Sequence, residues 1–265
     1  MKIGIFDSGL GGLVITHALI EYLPQYDYVY LGDTARVPYG NRSQRVIYNF
    51  TRECLDYLFK HDCKLVIVAC NSASAEALRK IQQEYLPEKW PDRKALGVLI
   101  PSAEAAVEKG QKIGIIATEA TVKSKAFERE LKKINKDIAF VQKATPLLVP
   151  IIESGEHDVA ETVLKNYLKD ILEEDIDTII LGCTHYPVLK DQIKDVIGNE
   201  IHLVSQDEVV PASLQAYLAR HPEVEGELSK KQQRSFYVTD RTPASEQLAL
   251  KLFGEAIELM EENLS

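Results

Sequence analysis

Val66-Ile67-Val68-Ala69-Cys70-Asn71-Ser72 and Ile179-Ile180-Leu181-Gly182-Cys183-Thr184-His185 are two versions of one pattern. Each is an apolar run, then a small residue, then a cysteine, then side chains that hydrogen-bond. A run that is apolar throughout, rather than alternating with polar residues, belongs to a strand buried on both faces. Such strands make up parallel sheets, whose connecting helices cover either side.

Outward from these two runs the same texture repeats. Strand-type runs lie at residues 2–6, 28–31, 65–69, 96–99, 112–117, 138–141, 178–181, 201–204 and 235–238. Between most of them are longer stretches with apolar residues at three- and four-residue steps: 42–60, 73–85, 123–133, 160–172 and 246–260. The alternation predicts an α/β fold with mostly parallel sheets. Residues 86–94, with two prolines and the only tryptophan, Trp90, and residues 205–211 are the candidate linkers. They divide the chain into one α/β domain of residues 1–95 plus 208–265 and a second of residues 96–207, with one cysteine run in each. The alternative is a single nine-stranded sheet.

Composition narrows the function classes. The chain has 265 residues, 45% hydrophobic and 27% charged, and can bury a sizeable core. No apolar run approaches the roughly 20 residues of a membrane helix. Met1-Lys2-Ile3-Gly4-Ile5-Phe6-Asp7 turns acidic and glycine-rich within a few residues, unlike a secretory signal. A net charge of −9 without a basic cluster argues against nucleic acid. The four cysteines, Cys54, Cys63, Cys70 and Cys183, are expected to be reduced thiols. No Cys-x-x-Cys pair suggests a metal site. Cys54 sits in a helical pattern and Cys63 ahead of a strand, so both read as core.

In open α/β sheets ligands bind beyond the carboxyl ends of the strands, and the polar residues gather there. Asp7-Ser8-Gly9 follows the first strand. Gly32, Asp33 and Thr34, then Pro38-Tyr39-Gly40, follow the second. Cys70-Asn71-Ser72 follows the third. Thr118 and Thr121 follow the run at 112–117, and Cys183-Thr184-His185 the run at 178–181. This clustering points to an enzyme. Each motif also has a plainer use. Ser8 can cap the helix it precedes, and so can Asn71, Ser72 and Thr184, while the glycines at 9, 11 and 12 allow a tight turn. The same helix starts can hold an anion such as a carboxylate. A dinucleotide fingerprint fails at Val14, and no Gly-Lys-Ser/Thr phosphate loop occurs.

A thiol at a helix start is the reactive kind, because free N–H groups and the helix dipole favour the thiolate. Either cysteine alone could be a buried strand-end residue. Both together, with Asp7 and His185 as partners, fit a site with a thiol on each side. Such a site removes a proton from one face of a carbon and returns one to the other. A cysteine–histidine hydrolase would use Cys183 and His185 but leaves Cys70 without a role.

These residues resemble the glutamate racemases of the cofactor-independent Asp/Glu racemase family. The resemblance rests on Asp7-Ser8-Gly9-Leu10-Gly11-Gly12, Asp33-Thr34-Ala35-Arg36-Val37-Pro38-Tyr39-Gly40, Ala69-Cys70-Asn71-Ser72-Ala73, Ala117-Thr118 with Thr121, and Leu181-Gly182-Cys183-Thr184-His185-Tyr186-Pro187. It implies two pseudo-symmetric α/β domains with the active site in the cleft between them. It implies that Cys70 takes the α-proton of D-glutamate and Cys183 that of L-glutamate, with Asp7 assisting Cys70 and His185 assisting Cys183. Asp7, Ser8, Tyr39, Gly40, Asn71, Ser72, Thr118, Thr121, Thr184 and His185 match substrate-holding positions, and Glu153 a supporting acidic one. No cofactor or metal, a cytoplasmic location and a homodimer are implied as well. The chain departs from the family where Cys-Asn-Thr-Ala-Thr is usual: it has Cys70-Asn71-Ser72-Ala73-Ser74, which keeps both hydroxyls but loses two methyls.

Overall fold

A computed structural model describes residues 1–264. Among the described residues ten strands form two sheets instead of one, and every pairing is parallel. The first sheet contains β1 (Lys2–Asp7), β2 (Tyr28–Gly32), β3 (Cys63–Val68), β4 (Lys94–Gly97), β9 (Arg234–Val238) and β10 (Leu259–Glu261). The second contains β5 (Lys112–Ala117), β6 (Ala139–Ala144), β7 (Thr178–Gly182) and β8 (His202–Val204).

The strand orders explain why the two cysteine runs match. The first sheet reads β10-β9-β2-β1-β3-β4 and the second β6-β5-β7-β8. Within the first, β2-β1-β3-β4 repeats the second sheet's order strand for strand. In each half the chain goes from its first strand to a neighbour on one side, then crosses to the other side. That reversal opens a crevice at the strands' carboxyl ends, the usual ligand site of such sheets. β3 and β7 hold equivalent places, so Cys70 and Cys183 leave equivalent strand ends.

The apolar runs pack on both faces, as expected. Ile3, Ile5, Leu65 and Ile67 turn to one side of the first sheet, against Leu13 and Leu19 of helix Gly12–Tyr22 and Leu214 of helix Gln206–Arg220. Phe6, Val66 and Val68 turn to the other, against Leu55 and Leu58 of helix Gln44–Lys60. In the second half, Ile113, Ile115 and Ile180 pack on Leu99 and Ala103 of helix Leu99–Lys109 and on Phe127 and Leu131 of helix Ala126–Ile134.

Three expectations need correction. Residues 96 and 97 do not open the second half but end β4, the edge of the first sheet. The chain crosses over through helix Leu99–Lys109 and returns through helix Gln206–Arg220, which packs against both that helix and Gly12–Tyr22. Residues 86–94 are accordingly no free linker. The helix that follows Cys70 runs unbroken over residues 71–89, widened by π-type turns at Ser74–Leu78 and Ile81–Tyr85. The helical pattern at 246–260 stops at Phe253, where Gly254 takes a left-handed φ of 92° and its N–H closes on Leu250 O. The freed chain then adds β10 beside β9. Among the described residues no helix is long and apolar enough to cross a membrane.

Candidate active site

The loop after β1 is held close to the sheet. Tyr30 donates its hydroxyl to Gly9 O at 2.7 Å. Gly9 N–H in turn donates to Asp7 Oδ2 at 3.0 Å, while Asp7 Oδ1 is buried without a hydrogen-bond partner. Burial raises the Asp7 pKa, and the charge of His185 and the N–H groups of Gly9, Gly12 and Ser8 pull the other way. Asp7 is a buried carboxyl with one unused oxygen at the carboxyl end of the central strand.

Cys70 caps the helix of residues 71–89, its Sγ accepting from Ala73 N–H at 3.4 Å. Its thiol donates to Ser8 Oγ at 3.2 Å. Burial first, then the negative charge of Asp7, push its pKa up to about 12; the contacts to Ser8 and Ala73 oppose this, and Cys183 adds to it. The expected tuning toward neutrality by the helix start is therefore outweighed by desolvation and a nearby carboxylate.

Cys183 differs from its counterpart. It is followed by a turn and the short 3-10 helix Tyr186–Leu189, so it does not cap an α-helix. Its partner is a side chain: Sγ lies 3.9 Å from His185 Nδ1, and His185 Nε2 lies 3.0 Å from Glu153 Oε1 on helix Leu148–Ser154. Burial opposes charge on His185, but the bonds to Cys183 and Glu153 outweigh it and hold the pKa up at about 10. Both contacts favour the protonated imidazole.

The two halves meet at these loops. A Cβ on Gly11 would lie 2.4 Å from both His185 Nδ1 and Thr184 Oγ1, a separation that only a glycine permits. Across the cleft, Ser72 Oγ and Thr118 Oγ1 are 2.9 Å apart, and Thr118 Oγ1 and Thr121 Oγ1 3.0 Å. Gly40 O accepts from Ala120 N–H at 2.9 Å, which seats the loop after β2 on the Thr118–Thr121 turn. Cys70 and Cys183 are each 5% exposed.

Asp7, Ser8, Cys70, Ser72, Thr118, Thr121, Cys183, Thr184, His185 and Glu153 thus come together around one cleft, with the backbone of Gly40 beside it. Tyr39 does not bring its hydroxyl there: it donates to Asp33, which also accepts from Arg36 Nε at 2.7 Å and Thr239 Oγ1 at 2.9 Å. Asn71 faces Gln206, with reciprocal amide bonds of 2.8 and 2.7 Å. Ser74, the second hydroxyl of the Cys70 segment, donates to Val68 O at 2.8 Å and braces the helix against β3. Sequence reasoning missed Gln206 and also Thr145, whose hydroxyl is 2.6 Å from Tyr186 OH beneath the Cys183 loop. Both follow a strand end, Thr145 after β6 and Gln206 after β8, but neither belongs to a recognisable motif. A cavity of about 320 Å³ walled by Leu78, Leu99 and Leu214, with Arg79 and Arg129 on its lining, does not include either thiol.

Two parallel sheets that share one strand order, with a cysteine and its polar partner from each half brought together where they meet, define a two-domain α/β fold of the racemase type. The sequence pattern of the Asp/Glu/Hydantoin racemase family matches residues 4–206, and the chain belongs to that family. It is 40% identical over 260 residues to a glutamate racemase of Sulfurihydrogenibium sp. (strain YO3AOP1), covering 96% of this chain and 95% of that protein. Among solved structures it is similar to the glutamate racemase isoform RacE1 of Bacillus anthracis, with a TM-score of 0.90, 32% identity and coverage of 99% and 97%. It is also similar to the glutamate racemase of Francisella tularensis subsp. tularensis SCHU S4 in complex with D-glutamate, with a TM-score of 0.89, 30% identity and coverage of 99% and 97%.

Proposed function

We propose that this protein interconverts L- and D-glutamate by direct proton transfer at the α-carbon, with Cys70 and Cys183 as the two acid–base groups and no cofactor. The observation that carries the reading is the pair of cysteines at equivalent strand ends, each with its own polar partner. In the L-to-D direction Cys183 as thiolate takes the α-proton, and the electron pair stays on the substrate, delocalised into its carboxylate. The Cys70 thiol then donates its proton to the opposite face. The reverse direction exchanges the roles, and no net oxidation or proton loss occurs.

The surrounding geometry supports each step. Cys70 has its proton held by burial and by Asp7, which suits it to donate first. Once Cys70 has given up its proton, the Ser8 hydroxyl and the Ala73 N–H can donate to its thiolate until both thiols exchange protons with solvent for the next turnover. His185, kept cationic by Glu153, offers Nδ1–H toward Cys183. Ser72, Thr118, Thr121, Thr184 and the N–H groups at the start of the Cys70 helix would serve as donors to substrate carboxylates. Fixed donors in a water-poor cleft favour the negative charge that develops on deprotonation. The biological reading is supply of D-glutamate for peptidoglycan, in the cytoplasm, by a homodimer.

The test is deuterium incorporation at the α-carbon of glutamate in D2O, beside loss of circular dichroism from L-glutamate and L-aspartate. The wild type is expected to exchange and racemise glutamate. Cys70→Ser and Cys183→Ser should each lose racemisation by at least about 10³-fold, since an acid–base group supplies roughly 10²–10⁴. Racemisation of aspartate alone would reject the substrate, and single variants working at the wild-type rate would reject the two-thiol mechanism.

A further inference from the structure

Asn71, the residue next to Cys70, is not oriented by its own helix. Its side-chain amide is paired face to face with that of Gln206. Asn71 Nδ2 donates to Gln206 Oε1 at 2.8 Å, and Gln206 Nε2 donates to Asn71 Oδ1 at 2.7 Å. Both side chains are buried, Gln206 at 0% and Asn71 at 2% exposure. Gln206 is the first residue of helix Gln206–Arg220, directly after β8, so it sits where the chain returns from the second sheet.

The direction of this pair is imposed from further off. Ser102, on helix Leu99–Lys109, donates its only hydroxyl proton to Val98 O at 2.8 Å. With that bond made, its oxygen accepts, and the NH2 end of the Gln206 amide faces it at 3.4 Å. With that end assigned, Gln206 Oε1 must face Asn71 Nδ2, and the Asn71 amide cannot turn over without setting N–H against N–H and oxygen against oxygen. Asn71 is left with one N–H on Nδ2 and one lone pair on Oδ1, always in the same places.

We propose that Gln206, backed by Ser102, is a positioning residue that sets which way the Asn71 amide is presented to the substrate. The inference rests on the proposed function, with Asn71, the neighbour of Cys70, in the substrate-holding role that the family resemblance implies for it. Gln206 touches no reacting group; it acts through Asn71. Because Ser102 and Gln206 stand on the two crossings between the sheets, the orientation of a first-half residue is referred to both. The requirement is for one donor and one acceptor at position 206, in that order.

Two variants separate positioning from bulk. Gln206→Leu fills similar volume and can pair with neither end of Asn71. Gln206→Glu reproduces the glutamine pattern only when protonated, with its carbonyl accepting from Nδ2 and its O–H donating to Oδ1. Once ionised it has no donor and sets oxygen against Asn71 Oδ1. Burial raises the pKa of such a carboxyl, bringing its titration into the working range. Relative to wild type at each pH, Gln206→Leu is expected to raise KM for glutamate about tenfold throughout, with kcat within about twofold. Gln206→Glu is expected to match wild type near pH 6 and approach the leucine variant near pH 9. If Gln206→Leu does not fold, Gln206→Glu at the two pH values decides alone. Unchanged KM in the variants, or a Gln206→Glu defect independent of pH, overturns the proposal. A second readout does not depend on the reaction: the Asn71 side-chain amide protons, followed by 15N NMR, should exchange slowly in wild type and at least about tenfold faster in Gln206→Leu. Equal exchange rates overturn the proposal, whereas a wild type inert on glutamate rejects the proposed reaction and leaves the pairing to be judged by those amide protons.

Discussion

His185 is buried and nevertheless keeps its proton, because two acceptors bracket the ring. Its folded-state pKa of about 10 exceeds the ordinary 6.5. The protonated ring therefore stabilises the fold fully below about pH 6.5, and that contribution fades as pH rises toward 10. Glu153→Gln removes the charged acceptor on Nε2, so the contribution should be smaller and its loss, still starting near pH 6.5, should be complete at a lower pH. Calorimetry from pH 6 to 10 is expected to show the variant's melting temperature about 2–4 °C below wild type near neutrality, the shift from losing roughly 1 kcal/mol. Superimposable profiles would mean that Glu153, whose side chain is 43% exposed, does not hold the ring. At this scale Asp7, Cys70, Cys183 and His185 were legible in the sequence, since each follows an apolar run at a strand end. That the Tyr39 hydroxyl is claimed by Asp33 was not legible, because Asp33 also binds Arg36 and the distant Thr239. Gln206 carried no signal at all: a polar residue after Ser205 reads as part of a helix start, and its partner Asn71 lies far away in the chain.

The strands are the elements that periodicity locates best. β1, β3 and β7 are buried at nearly every position, so their apolar runs match their extents within two residues. Periodicity fails where an element is short or where a single backbone angle ends it. β10 has three residues, too few to show a period, and the helix before it ends on Gly254 rather than on a break in the apolar pattern. Gly254→Ala places a Cβ in the left-handed region at φ 92°. It should cost about 1 kcal/mol, lowering the melting temperature by roughly 2–4 °C without changing activity. A variant as stable as wild type would show that another backbone path serves the turn. The helix of residues 71–89 teaches a related lesson. Pro87 and Pro91 read as a linker, yet the helix passes through Pro87 and ends at Lys89, short of Pro91.

For the molecule as a whole, the repeated strand order places two equivalent thiols in one cleft, and that cleft is shut. Gly11 lies against Thr184 and His185, the hydroxyls of Ser72 and Thr118 meet, and each thiol is 5% exposed. A substrate enters only if the halves part, a motion in which both crossing helices must take part. Alkylation by iodoacetamide should therefore be slow, limited by opening. It should reach Cys70 and Cys183, where the two halves meet, while sparing Cys54 and Cys63, both fully buried in the core of the first half. Added glutamate should slow it at least about tenfold, a change that mass spectrometry can follow residue by residue. Equal labelling of all four cysteines, or no protection by glutamate, would contradict a cleft that opens locally. Apolar runs, the small residue behind each cysteine and the polar cluster at the strand ends are local in the chain, so their meaning is readable without a structure. The division into two sheets of one order, the pairing of His185 with Glu153 and the hold of Ser102 and Gln206 on Asn71 belong to the folded state alone. Each depends on directional contacts between segments far apart in sequence, and no local pattern of residues encodes where such a side chain will point.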